Sequence, residues 1–121
     1  MSPKFILMLV FQVGGAVLIG ISIPLIQGRV GPNHLYGFRV RRTLEDPNVW
    51  YPVNTYSAWR LLVVGAVEII VATTLYFVPS LDLALYSTIV GGVTIAGLMI
   101  GLAQSLCFLH KFTKERESAS S

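Results

Sequence analysis

The chain has 121 residues, 54% hydrophobic and 12% charged, with a formal net charge of +3. That length holds one domain. A soluble domain this small has too few charges to cover so much apolar surface, so the composition excludes that class and makes lipid the solvent. The single cysteine, Cys107, lies in an apolar run, which excludes an intramolecular disulfide and a cysteine metal framework.

The first apolar run, residues 5–26, contains no charge. A helix of about 20 residues crosses a hydrocarbon core. The run is too long for a signal-peptide apolar region and has no small-residue cleavage site after it, so it is predicted to be retained. Pro24 is predicted to kink or end it. Gln12 is its strongly polar side chain at depth.

Residues 27–59 hold most of the arginine. "GPN" at 31–33 is a turn signal. "HLYGFRV" follows and is predicted to lie in the headgroup layer, with Tyr36 and Phe38 dipping in and Arg39, Arg41 and Arg42 reaching lipid phosphates. Asp46 before Pro47 is a helix start: an acidic N-cap, then proline where a missing N–H costs nothing. This helix is predicted to lie in the membrane surface through Trp50, an interfacial anchor, and Asn54. A kink or restart is expected at Pro52, and a turn into the second span near 57–60.

The second span is predicted over 60–78 and the third over 84–109, joined by a tight turn at "PSLD". The fold class is therefore all-α membrane protein, with three transmembrane helices and an interfacial loop or helix between the first and second. Residues 1–110 form one domain, and the polar, Ser-rich tail 111–121 is predicted to be disordered. Eight of the nine lysines and arginines fall in the long loop, at its junction with the second span, or after the third span; only Lys4 lies on the other side. That bias places the N-terminus outside and the loop and tail in the cytoplasm.

Glu68 is an acid about two turns into the second span, where a charge is costly and normally faces protein or water. Ala58, Leu61, Gly65, Glu68 and Ala72 share one helix face, and the third span has a stripe of small residues, Ser87, Gly91, Thr94, Gly97, Gly101 and Ser105. Gly97 and Gly101 form a G-x-x-x-G, which permits close helix approach. Glu68 is predicted to point between the helices, with Gln104 as its partner and Arg39 or Arg60 as rivals.

Asn33, Gly37-Phe38-Arg39, Thr43-Leu44, Asp46-Pro47, Trp50 and Asn54, followed by an apolar helix with Gly65, resemble the signature of the SdpI family. These are small bacterial membrane proteins named after an immunity protein against a secreted peptide toxin. The resemblance covers roughly residues 31–66, and the immunity protein is longer, with extra spans. It implies a multi-pass protein of the plasma membrane, the bacterial inner membrane, that is not an enzyme and has no cofactor. It also implies a motif that binds a peptide toxin or a cytoplasmic regulator.

The residues support the absence of catalysis. His34 and His110 lie on different segments without ligand spacing, and there is no nucleophile–base pair or phosphate-binding glycine loop. Anionic headgroups, not nucleic acid, are the expected partner of the loop arginines. The alternative function is an accessory subunit or small transporter in which Glu68 carries a proton or cation; with three spans, it requires a homo-oligomer.

Overall fold

The computed structural model describes residues 2–33, 37–39 and 41–120, apart from the side chains of Arg42 and Ser120. Among the described residues four helices follow one another: α1 (Pro3–Ile26), α2 (Arg41–Glu45), α3 (Pro47–Tyr76) and α4 (Leu83–Ser120). Three of them, α1, α3 and α4, are long and apolar enough to cross a membrane. The protein is an all-α, multi-pass membrane protein.

The start and stop of α1 are both local chemistry. Ser2 caps it by accepting the Phe5 N–H at 3.1 Å, with Pro3 in the first turn. Pro24 stays inside the helix; the stop is made at Gly28, whose φ is +70°. The Gly28 N–H reaches the Leu25 carbonyl and the Arg29 N–H reaches that of Pro24, which satisfies the last carbonyls.

The predicted surface helix and the second span are one helix. α3 runs 30 residues without a break at Pro52, about 45 Å of helix against a hydrocarbon core of about 30 Å. Its first turns therefore extend beyond the core. Pro52 falls so near the start that its missing N–H removes only the bond to the Asn48 carbonyl. The tail expected to be disordered is also helical: α4 continues through it to Ser120.

α3 is the central helix, packed against both α1 and α4, and α1 and α4 also touch directly where Phe11 meets Tyr86. At the α1–α3 crossing, Gly15 meets Gly65 so closely that a Cβ on either would lie 2.6–2.7 Å from the other's carbonyl oxygen. At the end carrying the α3–α4 turn, Met8, Ala72, Tyr86 and Val90 form a core with Phe5 and Phe11 against it. Tyr86 donates to the Ala72 carbonyl at 2.7 Å. The Lys4 ammonium donates to the carbonyls of Val78 and Leu81, at 2.9 and 3.1 Å. At the other end, Val49, Val53 and Leu109 pack with Phe38, Phe108 and Phe112.

Candidate functional site

The loop between α1 and α3 is clamped onto the first turns of α3. Trp50 is wholly buried, and its indole N–H donates to the Val30 carbonyl at 2.6 Å. Asn54, four residues on and on the same face, is also buried. Its Oδ1 accepts the Phe38 N–H, while Nδ2 donates to the carbonyls of Phe38 and Trp50 at 3.3 and 3.0 Å. Thr43, buried at the start of α2, donates to the same Phe38 carbonyl at 2.9 Å. Gly37 has a φ of +108°, and a Cβ there would lie 2.7 Å from Asn54 Oδ1 and 3.1 Å from the Trp50 ring. Only glycine fits both the angle and the space.

The clamp brings Gly37, Thr43, Trp50 and Asn54 together. Asn33 lies at its edge and donates to the Gly31 carbonyl at 2.8 Å. Arg39 is exposed on the outer side. Trp50 is thus a core residue of the loop, not an interfacial anchor, and Phe38 packs on Val49, Val53 and Leu109 rather than dipping into headgroups. Tyr36 and His34 lie outside the described residues.

Asp46 caps α3 through the Asn48 N–H at 2.9 Å and pairs with Arg116 of α4 at 3.0 Å. The Asn48 N–H, and then the Arg116 guanidinium, hold its carboxyl below the usual value. Arg116 falls in the segment read as a disordered tail. The signal for its position was the helical spacing of Leu109, Phe112, Thr113 and Arg116, which puts them on one face.

Inside the span, Glu68 is buried at 4% exposure. It meets Gly14 of α1, where a Cβ would lie 3.0 Å from its Oε1, and it lies beside the Thr94 side chain of α4, whose hydroxyl donates to the Val90 carbonyl at 3.0 Å. Gln104 is not its partner; it is exposed beside a groove between α3 and α4. Arg39 and Arg60 are not its partners among the described residues either. Gln12 donates to Thr73 at 2.9 Å. Gly65 faces α1, whereas Gly97 packs on Val64 and Gly101 on the Cβ of Arg60. The small stripe of α4 therefore meets the 60-64-68 row of α3, one row round from Gly65. The sequence reading missed Gly14-Gly15, an adjacent glycine pair that marked the close approach of α1.

Among the described residues, no cluster of three or more His, Cys, Asp or Glu has the geometry to hold a metal ion. No solved structure matches the chain. The uncharacterized protein YfhL of Bacillus subtilis (strain 168) is 39% identical over 57 residues, which cover 46% of this chain and 51% of that protein. The aligned stretch spans only about half the length of that relative. The model of the SdpI/YfhL protein family matches residues 29–108, which take in the clamped loop, all of α3 and most of the apolar part of α4. A match over that much of the chain makes it a member of the SdpI/YfhL protein family.

Proposed function

We propose that the chain is a non-enzymatic protein of a bacterial cell membrane whose clamped loop is a recognition surface, protecting its host against a membrane-active peptide. The observation that supports this is the construction of the loop. Phe38 is held by Asn54 and by Thr43 over a fully buried Trp50. A plain linker between spans needs no such order, and the order presents Arg39 on the exposed side at the membrane face. The charge bias supports a cytoplasmic loop and an outward N-terminus. The namesake immunity role supplies the peptide as partner, and a cytoplasmic regulator docking on the same surface is the related case.

The test is survival and membrane leakage of a sensitive bacterium expressing the chain, challenged with secreted membrane-active peptides. Protection by the wild type that Arg39→Gln weakens supports the reading. Absence of protection at matched membrane expression sinks the immunity role. Pull-down of one cytoplasmic protein through the same loop would then favour the regulator.

One observation favours a second reading, a proton- or cation-linked role: Glu68 is a carboxyl enclosed by all three spans. A flux in liposomes that disappears in Glu68→Gln supports it, and liposomes with no flux above background reject it.

A further inference from the structure

Arg60 is the cation set deepest into the spans. About 24 Å of helix separates it from Tyr76 at the far end of α3, so it lies within about one or two turns of the opposite edge of a hydrocarbon core roughly 30 Å thick. Its guanidinium lies over the Tyr56 ring, 4.7 Å from the centroid. Tyr56 in turn stacks on Phe108 at 4.3 Å. No carboxylate pairs with Arg60 among the described residues, and its buried Nε has no hydrogen-bond partner. A cation in this position needs an anion, and none of the described residues supplies one.

Beside it runs a groove between α3 and α4 of about 460 Å³, walled by Val63, Val67 and Ile100 with Arg60 and Gln104 at one end. That size is within the roughly 300–1,000 Å³ of small-molecule sites. A second hollow shares Ile100 and Gln104 with it and reaches Lys111. The path is walled mostly by apolar side chains and carries two cations toward the loop end, which complements a lipid with an anionic head.

We propose that this groove binds one anionic glycerophospholipid, with its phosphate on Arg60, Lys111 at the mouth, and an acyl chain along Val63, Val67 and Ile100. The occupant follows from the charge. The acyl tail matches the apolar walls, the phosphate matches the unpaired guanidinium, and the bilayer presents both at this depth. The site is separate from the clamped loop and does not depend on the recognition role proposed for it.

The experiment is native mass spectrometry of the full chain in mild detergent with equal phosphatidylglycerol and phosphatidylethanolamine, beside melting curves with each lipid. The wild type is expected to keep one phosphatidylglycerol and to melt higher with it. Arg60→Gln should lower retention by about tenfold or more, the loss of one charge-assisted bond, and abolish the melting shift, while Arg60→Lys restores part of both. Ile100→Trp, which fills the groove, should also lose the lipid. Lys114→Gln removes an exposed charge away from the groove and should retain it. Equal retention by Arg60→Gln overturns the proposal, as does equal loss by Lys114→Gln. A wild type whose melting ignores phosphatidylglycerol overturns it without relying on any variant. So does displacement of the lipid by free glycerol phosphate as effectively as by intact lipid. A change of oligomeric state in Ile100→Trp with lipid still bound would assign the groove to a second copy of the chain instead.

Discussion

Asn54 holds the backbone of Phe38 at both of its polar groups, its Oδ1 taking the Phe38 N–H and its Nδ2 giving a hydrogen bond to the Phe38 carbonyl. One side-chain amide thus does for the loop what a neighbouring strand does in a sheet. Replacing it with leucine, of similar size, leaves the Phe38 N–H and the Trp50 carbonyl without this partner. The expected cost is about 1–3 kcal/mol, read from thermal unfolding in detergent. Amide exchange at Phe38 is the sharper measurement: if that N–H stays protected in Asn54→Leu, the grip is not what orders the loop.

Gly37 and Gly28 both have positive φ, yet they differ in what surrounds them. A Cβ on Gly28 finds its nearest neighbour 4.0 Å away, whereas one on Gly37 collides with Asn54 and crowds Trp50. Gly28→Ala should therefore cost about 1–2 kcal/mol of backbone strain alone. Gly37→Ala should cost more and raise the accessibility of Trp50. Trp50 fluorescence quenching by acrylamide compares the two; equal quenching in both variants would contradict the packing described.

The α1–α3 crossing separates rigid neighbours from yielding ones. At Gly15 an added methyl meets the Gly65 backbone at 2.7 Å and Ile69 at 2.6 Å; at Gly20 it meets nothing within 4 Å. Gly15→Ala should force the two helices apart and lower the melting temperature, and Gly20→Ala should leave it unchanged. A cysteine pair placed across the crossing would report the separation by its cross-linking rate.

Glu68 touches Thr94 and Gly14, and no cation is among these contacts. Glutamine keeps the shape and a hydrogen-bonding capacity, so Glu68→Gln should change stability by less than about 1 kcal/mol. Glu68→Ala leaves a void between the helices and should cost about 2 kcal/mol or more. A strong loss in Glu68→Gln would show that a buried cation depends on the charge.

The carboxyl of Asp46 is held below its ordinary value of 3.8, first by the Asn48 N–H and then by Arg116. A lowered folded-state value means stability that is present above 3.8 and lost as pH falls through the folded-state value. Arg116→Gln should move the Asp46 titration part of the way back up, since the cap remains, and should loosen the last turns of α4. Carboxyl NMR shifts across acidic pH measure the first effect. Because the pair is exposed, the Arg116-dependent part should shrink at high salt.

The spans were legible because an uninterrupted apolar run has few alternatives in so small a chain. The identities of the loop residues were legible too, but not their geometry. Trp50 and Asn54 are spaced for one helix face, yet both bond to backbone groups of Val30 and Phe38, and backbone carries no residue-specific signal. Pro52 misled because proline reads as a break, and its nearness to the helix start, which makes it cheap, depends on where the helix begins. Counting from the ends of the spans sets Gln104 at the depth of Glu68, but the register packs Gly97 on Val64 and Gly101 on Arg60, which puts Thr94 beside Glu68 and Gln104 about 15 Å further along α4.

Lys4 joins the first helix to the last hairpin, reaching the Val78 and Leu81 carbonyls across more than 70 residues of chain. During synthesis its ammonium has no such acceptors until the α3–α4 turn has formed. The tie works as a latch that closes only when α1, α3 and the turn after α3 are in place. A chain halted after Tyr76 lacks both acceptors, and its first helix should stay easier to extract than in the finished protein.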